Sequence, residues 1–321
     1  MRRLIIHIGN HKTGSTSIQE SLVLNNELLE FNGFKVCRTN YQGKTVPWAG
    51  LNGWVDCSSG NTPVLRDGLA QALSASPNKN VIISAETFSF LNKKSDLGKL
   101  HNELQTSFDK IEVVVYIRRQ DRQILSHSLQ ASKPASNFDK YFLGFGKHPF
   151  PRSINRNLRN YLDYNKKIGL WSEVFGDKNI KVRVFDKKYL HHGDVVSDFY
   201  YSIGLDYVSF ASIKNKNEAV GFEKNWVGHF VSELGLEADE ARKILFVTED
   251  SKKCLPARQD AINILEGFKS SNERLNDRFK ITENKFLFDE DFSYYPETSN
   301  LYWDEQHFES FLASVFRTLI N

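Results

Sequence analysis

The 321-residue chain has little cysteine: Cys37, Cys57 and Cys254 are widely spaced, and none belongs to a C-x-x-C pair. An odd number of scattered cysteines argues against a disulfide framework and against a cysteine-based zinc site. It favours a reducing compartment, and we therefore expect a cytoplasmic protein. The 9 histidines also lack the spacing of metal ligands, so we expect no metal.

Long hydrophobic runs are missing too, since no stretch approaches the roughly 18 apolar residues of a membrane-spanning helix. The apolar run 4–8 after Met1-Arg2-Arg3 is too short for a signal peptide and predicts a first strand. No transmembrane segment is expected, while peripheral contact with a membrane stays open.

An excess of one charge is also lacking, because 42 Lys and Arg residues against 39 Asp and Glu residues give a net charge of +3. This value is too small to indicate a nucleic-acid partner.

Internal repeats, low-complexity tracts and Pro/Gly/Ser-rich linkers are absent from the sequence. These absences predict one domain over residues 1–321.

The order of elements predicts the fold class. Four short runs rich in β-branched residues predict buried strands, at Leu4–Ile8, Val81–Ser84, Ile111–Ile117 and Ile180–Phe185. Helical spacing occurs between them, at Ser15–Glu30, Leu65–Ser74, Leu97–Phe108, Asp121–Ala131 and Asn155–Gly169. Further helices are predicted at Val195–Ile203, Phe222–Leu234, Ala257–Asn276 and Glu305–Leu319. We expect an α/β, P-loop-like three-layer fold with a central parallel sheet and a largely helical C-terminal part.

The stretch 4–19 is the most informative part of the sequence, because it predicts a strand, a glycine-flanked loop and a helix. Gly9 and Gly14 enclose four residues as in a Walker A loop, yet Ser15 follows the second glycine and the lysine lies upstream, at Lys12. Backbone N–H groups of such a loop, together with a helix N-terminus, bind phosphate or sulfate. The displaced lysine disfavours a nucleoside triphosphate with magnesium.

A second signal comes from Arg118, which ends the predicted strand Ile111–Ile117, and from Ser126, eight residues further along the next helix. A guanidinium at the strand end and a hydroxyl about two turns into the helix could contact one phosphate. Glu86 follows another predicted strand directly. Since parallel strands share one carboxyl edge, Lys12, Glu86 and Arg118 are predicted to converge on one crevice.

These segments together resemble the sulfotransferases that use 3′-phosphoadenosine 5′-phosphosulfate. The loop His11–Gln19 resembles their 5′-phosphosulfate loop, and Arg118 to Ser126 resembles their 3′-phosphate motif. Further stretches look like bacterial carbohydrate-type members of the family, at 182–186, 193–199 and 203–205, and so do Asn284 and the run 288–291. The sequence departs from the common forms at His11, where they have Pro, and at Arg119-Gln120, where they have Asn-Pro. It also has no clear Arg-Lys-Gly lid.

The resemblance implies 3′-phosphoadenosine 5′-phosphosulfate as the donor and a hydroxyl of a carbohydrate or lipid-linked saccharide as the acceptor. Lys12 is expected to contact the leaving oxygen, because negative charge develops there. Glu86 is the first choice for the general base, with His127, His148 and His11 as alternatives. The expected donor-binding residues are His11, Thr13, Gly14, Ser15, Thr16, Ser17, Arg118, Ser126, Lys214 and Asn217, the last two in place of the lid.

Two other functions stay open from the sequence alone. One is a nucleotide kinase or NTPase with a variant loop, in which Asp186 would be a Walker B-like carboxylate. The other is a catalytically silent nucleotide-binding protein. The aromatic stretches 32–62 and 134–153 could wall an acceptor site or merely cap the core.

Overall fold

The computed structural model divides the chain into two compact units. The first unit comprises Met1–Arg118, Asp163–Lys216 and Ser271–Leu287, and the second comprises Arg119–Leu162, Asn217–Ser270 and Phe288–Asn321. The residues it describes are 1–37, 39–41, 44–46, 55–56, 64–65, 80–134, 140, 142–205, 210–211, 220–250 and 252–320. The expectation of one domain over 1–321 stays a prediction.

The first unit contains a five-stranded parallel sheet, built in the described part of the chain from β1 (Arg3–His7), β2 (Phe34–Val36), β7 (Asn80–Ser84), β8 (Lys110–Ile117) and β9 (Ile180–Val184). The intervening strands form two separate antiparallel pairs: β3 (Thr39–Tyr41) with β4 (Lys44–Val46), and β5 (Val55–Asp56) with β6 (Val64–Leu65). The strand order in the sheet is β2-β7-β1-β8-β9. Strand β1 therefore lies between β7 and β8, and the predicted α/β class is confirmed.

The described helices are α1 (Ser15–Leu24), α2 (Asn26–Phe31), α3 (Lys94–Leu104), α4 (Gln120–Ala131), α5 (Arg156–Leu162), α6 (Tyr164–Phe175), α7 (Val195–Ile203), α8 (Phe222–Glu233), α9 (Ala238–Val247), α10 (Arg258–Glu266), α11 (Lys269–Phe279) and α12 (Glu305–Ile320). Three short 3₁₀ segments also occur in the described residues, at Glu86–Phe90, Asp177–Asn179 and His191–Gly193. The part of the chain after β9 is helical wherever it forms regular structure in the described residues, as the sequence predicts.

Helices cover both faces of the sheet in the first unit. On one face, Ile5 and Ile82 belong to one apolar cluster with Ile18 of α1 and Phe199 of α7. On the other face, α6 packs against β8 and β9, and α3 packs against α6. Strands buried on both faces are nearly continuous hydrophobic runs, which explains why their sequences are apolar without alternation.

The second unit is helical in the residues described and has apolar clusters of its own. Val227 and Val231 of α8 pack with Ala241 of α9 and with Phe311 of α12. Elsewhere in the unit, Leu125 of α4 packs with Ala261 of α10 and with Tyr295. The helix α4, which carries the predicted phosphate-binding Ser126, is thus anchored by packing inside this unit.

Candidate functional site

The loop between β1 and α1 has a backbone shaped for anion binding. Lys12 and Gly14 have φ values of 64° and 78°, whereas Thr13 between them is outside the left-handed region. Such alternation turns successive N–H groups toward one concave surface, which binds anions. The side chain of Thr13 stabilises this shape, because its hydroxyl donates to the Asn10 carbonyl at 2.6 Å. The predicted cradle is therefore present in the backbone.

Helix α1 begins directly after this loop, with Gly14 as its N-cap residue. The first bond of the helix runs from the Ile18 N–H to the Gly14 carbonyl at 3.1 Å, so residues 15–17 precede the repeating helical bonds. Along α1, all of which is described, the first turn contains no acidic side chain. The positive end of the helix dipole is therefore not neutralised by a carboxylate of its own first turn.

Gly14 is required by close packing as well as by its positive φ. A Cβ atom at this position would lie 2.7 Å from Cγ1 of Val195 and 3.0 Å from Cε2 of Phe185. Phe185 directly follows β9, and Val195 is the first residue of α7. Their role in this structure is to form the wall against which the loop packs.

Asn10 fixes the loop to the sheet from below. Its side chain is fully buried, and its amide donates to the Tyr116 carbonyl of β8 at 2.9 Å. Its amide oxygen accepts a hydrogen bond from Nζ of Lys167, on α6, at 2.6 Å. A buried amide that is held on both sides has one orientation, so the loop is pre-organised.

Arg118, at the end of β8, contacts the loop directly. Its Nη1 donates to the Lys12 carbonyl at 3.2 Å, and its guanidinium lies 5.6 Å from the ring centre of Phe185. The hydroxyl of Tyr164, the first residue of α6, donates to the Arg118 carbonyl at 2.7 Å. The structure thus brings Arg118 and Lys12 together, as the strand order predicts.

Glu86 lies against the start of α1. It is the first residue of the 3₁₀ segment after β7, and its Oε1 accepts a hydrogen bond from the Ser15 hydroxyl. Glu86 is half-buried, and this hydrogen bond orients its carboxylate beside the loop between β1 and α1, residues 8–14, which is called the anion loop below. This geometry is compatible with a general base, which must be held near the reacting oxygen.

A polar layer lies below Ser15 and Glu86. Nδ1 of His7 lies 2.8 Å from the Ser84 hydroxyl, to which the Gln19 amide also donates at 3.2 Å. Burial lowers the pKa of His7 to about 3, so the imidazole is neutral at physiological pH. These hydrogen bonds connect the ends of β1 and β7 to α1. Because His7 is neutral, they place no charge beneath the anion loop.

The segment 182–199 of the first unit contains a network of hydrogen bonds around a buried carboxylate. Asp198 is fully buried, and it accepts hydrogen bonds from the Tyr116 hydroxyl at 2.7 Å and from Nε of Arg183 at 2.9 Å. The His191 N–H donates to the same carboxylate at 2.8 Å. The hydrogen bond to Asp198 raises the pKa of Arg183. These residues hold α7 on the sheet and are not part of the anion loop.

The second half of the predicted 3′-phosphate motif lies in the second unit. Ser126 is half-buried on α4, whereas Arg118 belongs to the first unit, as the last residue of its first stretch. Arg119, which stands where the common forms of the family have Asn, is buried and forms a two-point ion pair with Asp121 at 2.8 and 2.9 Å. It also reaches the Asp289 carboxylate at 2.8 Å. Arg119 is therefore a structural residue of the second unit.

The remaining predicted residues differ in their settings. His11 packs its ring 4.9 Å from Phe90, and His148 is exposed. His127 is buried among aromatic rings of the second unit, 5.2 Å from Phe145, as expected for a core residue. Thr16 is exposed and Ser17 half-buried at the start of α1. Lys214 and Asn217 lie outside the described residues.

Asp186, the Walker B-like candidate, is exposed, and its carboxylate accepts the N–H of Lys188 at 3.1 Å. It caps a turn after β9.

Within the part of the chain that the structure describes, no cluster of three His, Cys, Asp or Glu residues could hold a metal ion. None of the helices searched there is both long enough and apolar enough to cross a membrane.

Comparisons with known proteins give distant likenesses. No family model matches the chain. An uncharacterized protein of Archaeoglobus fulgidus is 28% identical over 220 residues, which cover 66% of this chain and 56% of that protein. The chain thus spans little more than half the length of this curated relative.

Two solved structures align with the chain. A sulfotransferase from Alicyclobacillus acidocaldarius aligns at 12% identity and a TM-score of 0.41, over 73% of this chain and 94% of that one. Mouse sulfotransferase SULT7A1, complexed with PAP, aligns at 10% identity and a TM-score of 0.31, over 100% of this chain and 85% of that one.

Proposed function

We propose that this protein is a sulfotransferase that moves the sulfuryl group of 3′-phosphoadenosine 5′-phosphosulfate to a hydroxyl of a carbohydrate or lipid-linked saccharide. The observation that carries the proposal is the lysine-bearing loop before α1. Its backbone is left-handed at Lys12 and Gly14, and its Lys12 carbonyl accepts a hydrogen bond from Arg118. A lysine, an arginine and a helix N-terminus suit a ligand with several anionic groups.

Sulfuryl transfer needs stabilisation of charge more than covalent participation by the protein. The acceptor oxygen forms a bond to sulfur, and the bond between sulfur and the bridging oxygen breaks. The electron pair of that bond stays on the 5′-phosphate, and the hydroxyl proton goes to a base. As in phosphoryl transfer, positioning and electrostatic stabilisation supply the rate enhancement.

Residues of the first unit have three roles in this reaction: they stabilise charge, bind the donor and remove the acceptor proton. Lys12 stabilises the charge that develops on the leaving oxygen, and the amides of residues 13–17 bind the phosphosulfate. Arg118 contacts the 3′-phosphate with its planar fork of N–H donors, and its bond to the Lys12 carbonyl couples this contact to the loop. Glu86, oriented by the Ser15 hydroxyl, takes the acceptor proton.

Donor recognition is tested by calorimetric titration with 3′-phosphoadenosine 5′-phosphate and, separately, with ATP and magnesium. We expect micromolar binding of the first and much weaker binding of the second. Arg118→Ala should weaken binding at least tenfold, because charge-assisted hydrogen bonds contribute about 1.5–3 kcal/mol each. Tighter binding of ATP, or its magnesium-dependent hydrolysis, would refute the proposal in favour of an NTPase.

Transfer itself is tested with labelled sulfate on the donor and a panel of sugar acceptors. Lys12→Ala should lower turnover by about 10²–10³-fold, the usual effect of removing one transition-state contact. Lys178→Ala removes a lysine that is exposed in the 3₁₀ segment 177–179 of the same unit, and it should leave turnover unchanged. Retained turnover in a folded Lys12→Ala protein would contradict the assigned role of Lys12.

A further inference from the structure

Lys167 occupies an unusual place for a lysine. It lies on α6 with 4% of its surface exposed, and its Nζ donates to the Asn10 amide oxygen at 2.6 Å. Nζ also lies 5.6 Å from the ring centre of Tyr164, the residue of α6 that contacts the Arg118 carbonyl. One face of α6 thus contacts both elements of the predicted donor site, the loop and the end of β8.

Packing does not explain a lysine at this position. Burial disfavours its charged form and lowers the pKa of Lys167 to about 7, although Asp163 at the start of α6 acts in the opposite direction. A methionine would fill a similar volume without this penalty. Charged residues on the neighbouring elements include Lys12 in the loop, Arg118 directly after β8 and Glu86 after β7.

We propose that Lys167 is a positioning residue for the anion loop: held on Asn10, its ammonium fixes the loop from below and strengthens its binding of a phosphate- or sulfate-bearing ligand. The ligand class is that of the proposed function, on which this inference rests. An anion on the loop offsets the penalty of the buried ammonium, because opposite charges nearby favour the charged form. Lys12 contacts the ligand, whereas Lys167 acts through Asn10.

This role has a measurable signature. A ligand that favours the ammonium makes Lys167 take up a proton on binding, so the affinity falls as the pH rises from 6.5 to 8.5. At pH 7.5 a lysine with a pKa of about 7 is roughly one-quarter protonated, so uptake could reach about three-quarters of a proton per ligand. A purely structural lysine would show no such coupling.

The test is calorimetry with 3′-phosphoadenosine 5′-phosphate at pH 6.5, 7.5 and 8.5, in buffers of different ionisation enthalpy. It compares wild type with Lys167→Met, which removes the charge, and with Lys167→Gln, which keeps a hydrogen-bond donor. Lys166→Met is the matched control, because Lys166 is the exposed neighbour on the same helix. All variants bind the same ligand, so the titration of its phosphates cancels in the comparison.

We expect Lys167→Met to bind at least tenfold more weakly at pH 6.5 and to lose the proton uptake, with Lys166→Met like wild type. Lys167→Gln should also lose the proton uptake. If Lys167→Met does not fold, Lys167→Gln alone tests the role of Lys167. Normal affinity and uptake in a folded Lys167 variant would overturn the inference and leave the proposed function intact. If wild type does not bind the nucleotide, the proposed function fails. The same comparison with inorganic pyrophosphate then decides the role of Lys167, and no binding of pyrophosphate would refute it too.

Discussion

Replacing Gly14 by alanine tests the close packing of the anion loop. Gly14 has a φ of 78°, and a Cβ atom there would lie 2.7 Å from Val195 and 3.0 Å from Phe185. Gly204 is a natural control, because it has a φ of 84° and nothing within 4 Å of the added atom. Both substitutions therefore impose the same backbone strain, and only Gly14→Ala adds an overlap.

The expected magnitudes follow from these distances. A left-handed conformation costs a residue with a Cβ about 1–2 kcal/mol, which is the whole effect expected for Gly204→Ala. Overlap in a packed site costs a further 1–3 kcal/mol or so. Val195 is buried and its β-branched side chain is stiff at χ1, so it cannot rotate away easily. We expect Gly14→Ala to lower the free energy of unfolding by about 2–5 kcal/mol.

Urea unfolding of both variants, followed by circular dichroism at one pH, measures the difference directly. Gly14→Ala should also weaken the binding of 3′-phosphoadenosine 5′-phosphate, whereas Gly204→Ala should not. Equal loss of stability in the two variants, within about 0.5 kcal/mol, would show that the loop can move away from Val195 and Phe185. The wall assigned to these two residues would then be wrong.

Three further predictions use the same unfolding assay. Lys12→Gly should be about 1 kcal/mol more stable than Lys12→Ala, because only glycine relieves the φ of 64° at this position, and equal stabilities would contradict that strain. Between pH 7 and 9, wild type should gain about 2 kcal/mol relative to Lys167→Met: the pKa of Lys167 falls from 10.5 to about 7 on folding, so the unfolded chain binds more protons and stability rises with pH. A pH-independent difference would show that Lys167 is solvated. Asp198→Ala should cost about 3–5 kcal/mol, since it leaves the Arg183 guanidinium and the buried Tyr116 hydroxyl without their shared acceptor, and a loss below 1 kcal/mol would contradict this.

The sheet could be predicted from sequence because its long strands are continuous apolar runs. Strand β2 was missed, since Phe34–Val36 has only three residues with a lysine at its centre. The predicted helix Asn155–Gly169 is two helices, α5 and α6. The break occurs at Asp163, whose side chain accepts the Lys166 N–H and caps α6. Hydrophobic spacing continues across this break and hides it.

Other helix boundaries predicted from the sequence differ from those of the structure for similar reasons. The predicted helix Ser15–Glu30 divides at Asn25 into α1 and α2, and Ala257–Asn276 divides into α10 and α11. Helix α9 was not predicted, because its sequence buries little and only Ala241 is fully covered. Of the predicted helix Leu65–Ser74, Leu65 belongs to β6 and the rest lies outside the described residues.

The candidate site was predictable where it follows strand ends in one sheet. Glu86 and Arg118 lie beside the loop that carries Lys12 because β1 lies between β7 and β8. Lys167 was missed, since no local pattern connects it to a loop far upstream in the sequence. One signal was available: it lies three residues after Tyr164 and four before Trp171, on the apolar face of a helix. A lysine on such a face marks either a buried partner or a function.

The way the two units are assembled from the chain has a consequence for biosynthesis. Each unit combines three separate stretches, and the first unit is not complete until residue 287 has been made. The strand β1 and the anion loop are therefore synthesised long before the last stretch of their unit. At ordinary elongation rates of about 5–20 residues per second, this delay after residue 118 is roughly 8–34 seconds. During that time the apolar strands made first lack the later parts of their unit, so we expect the nascent protein to depend on chaperones more than a chain whose domains are contiguous.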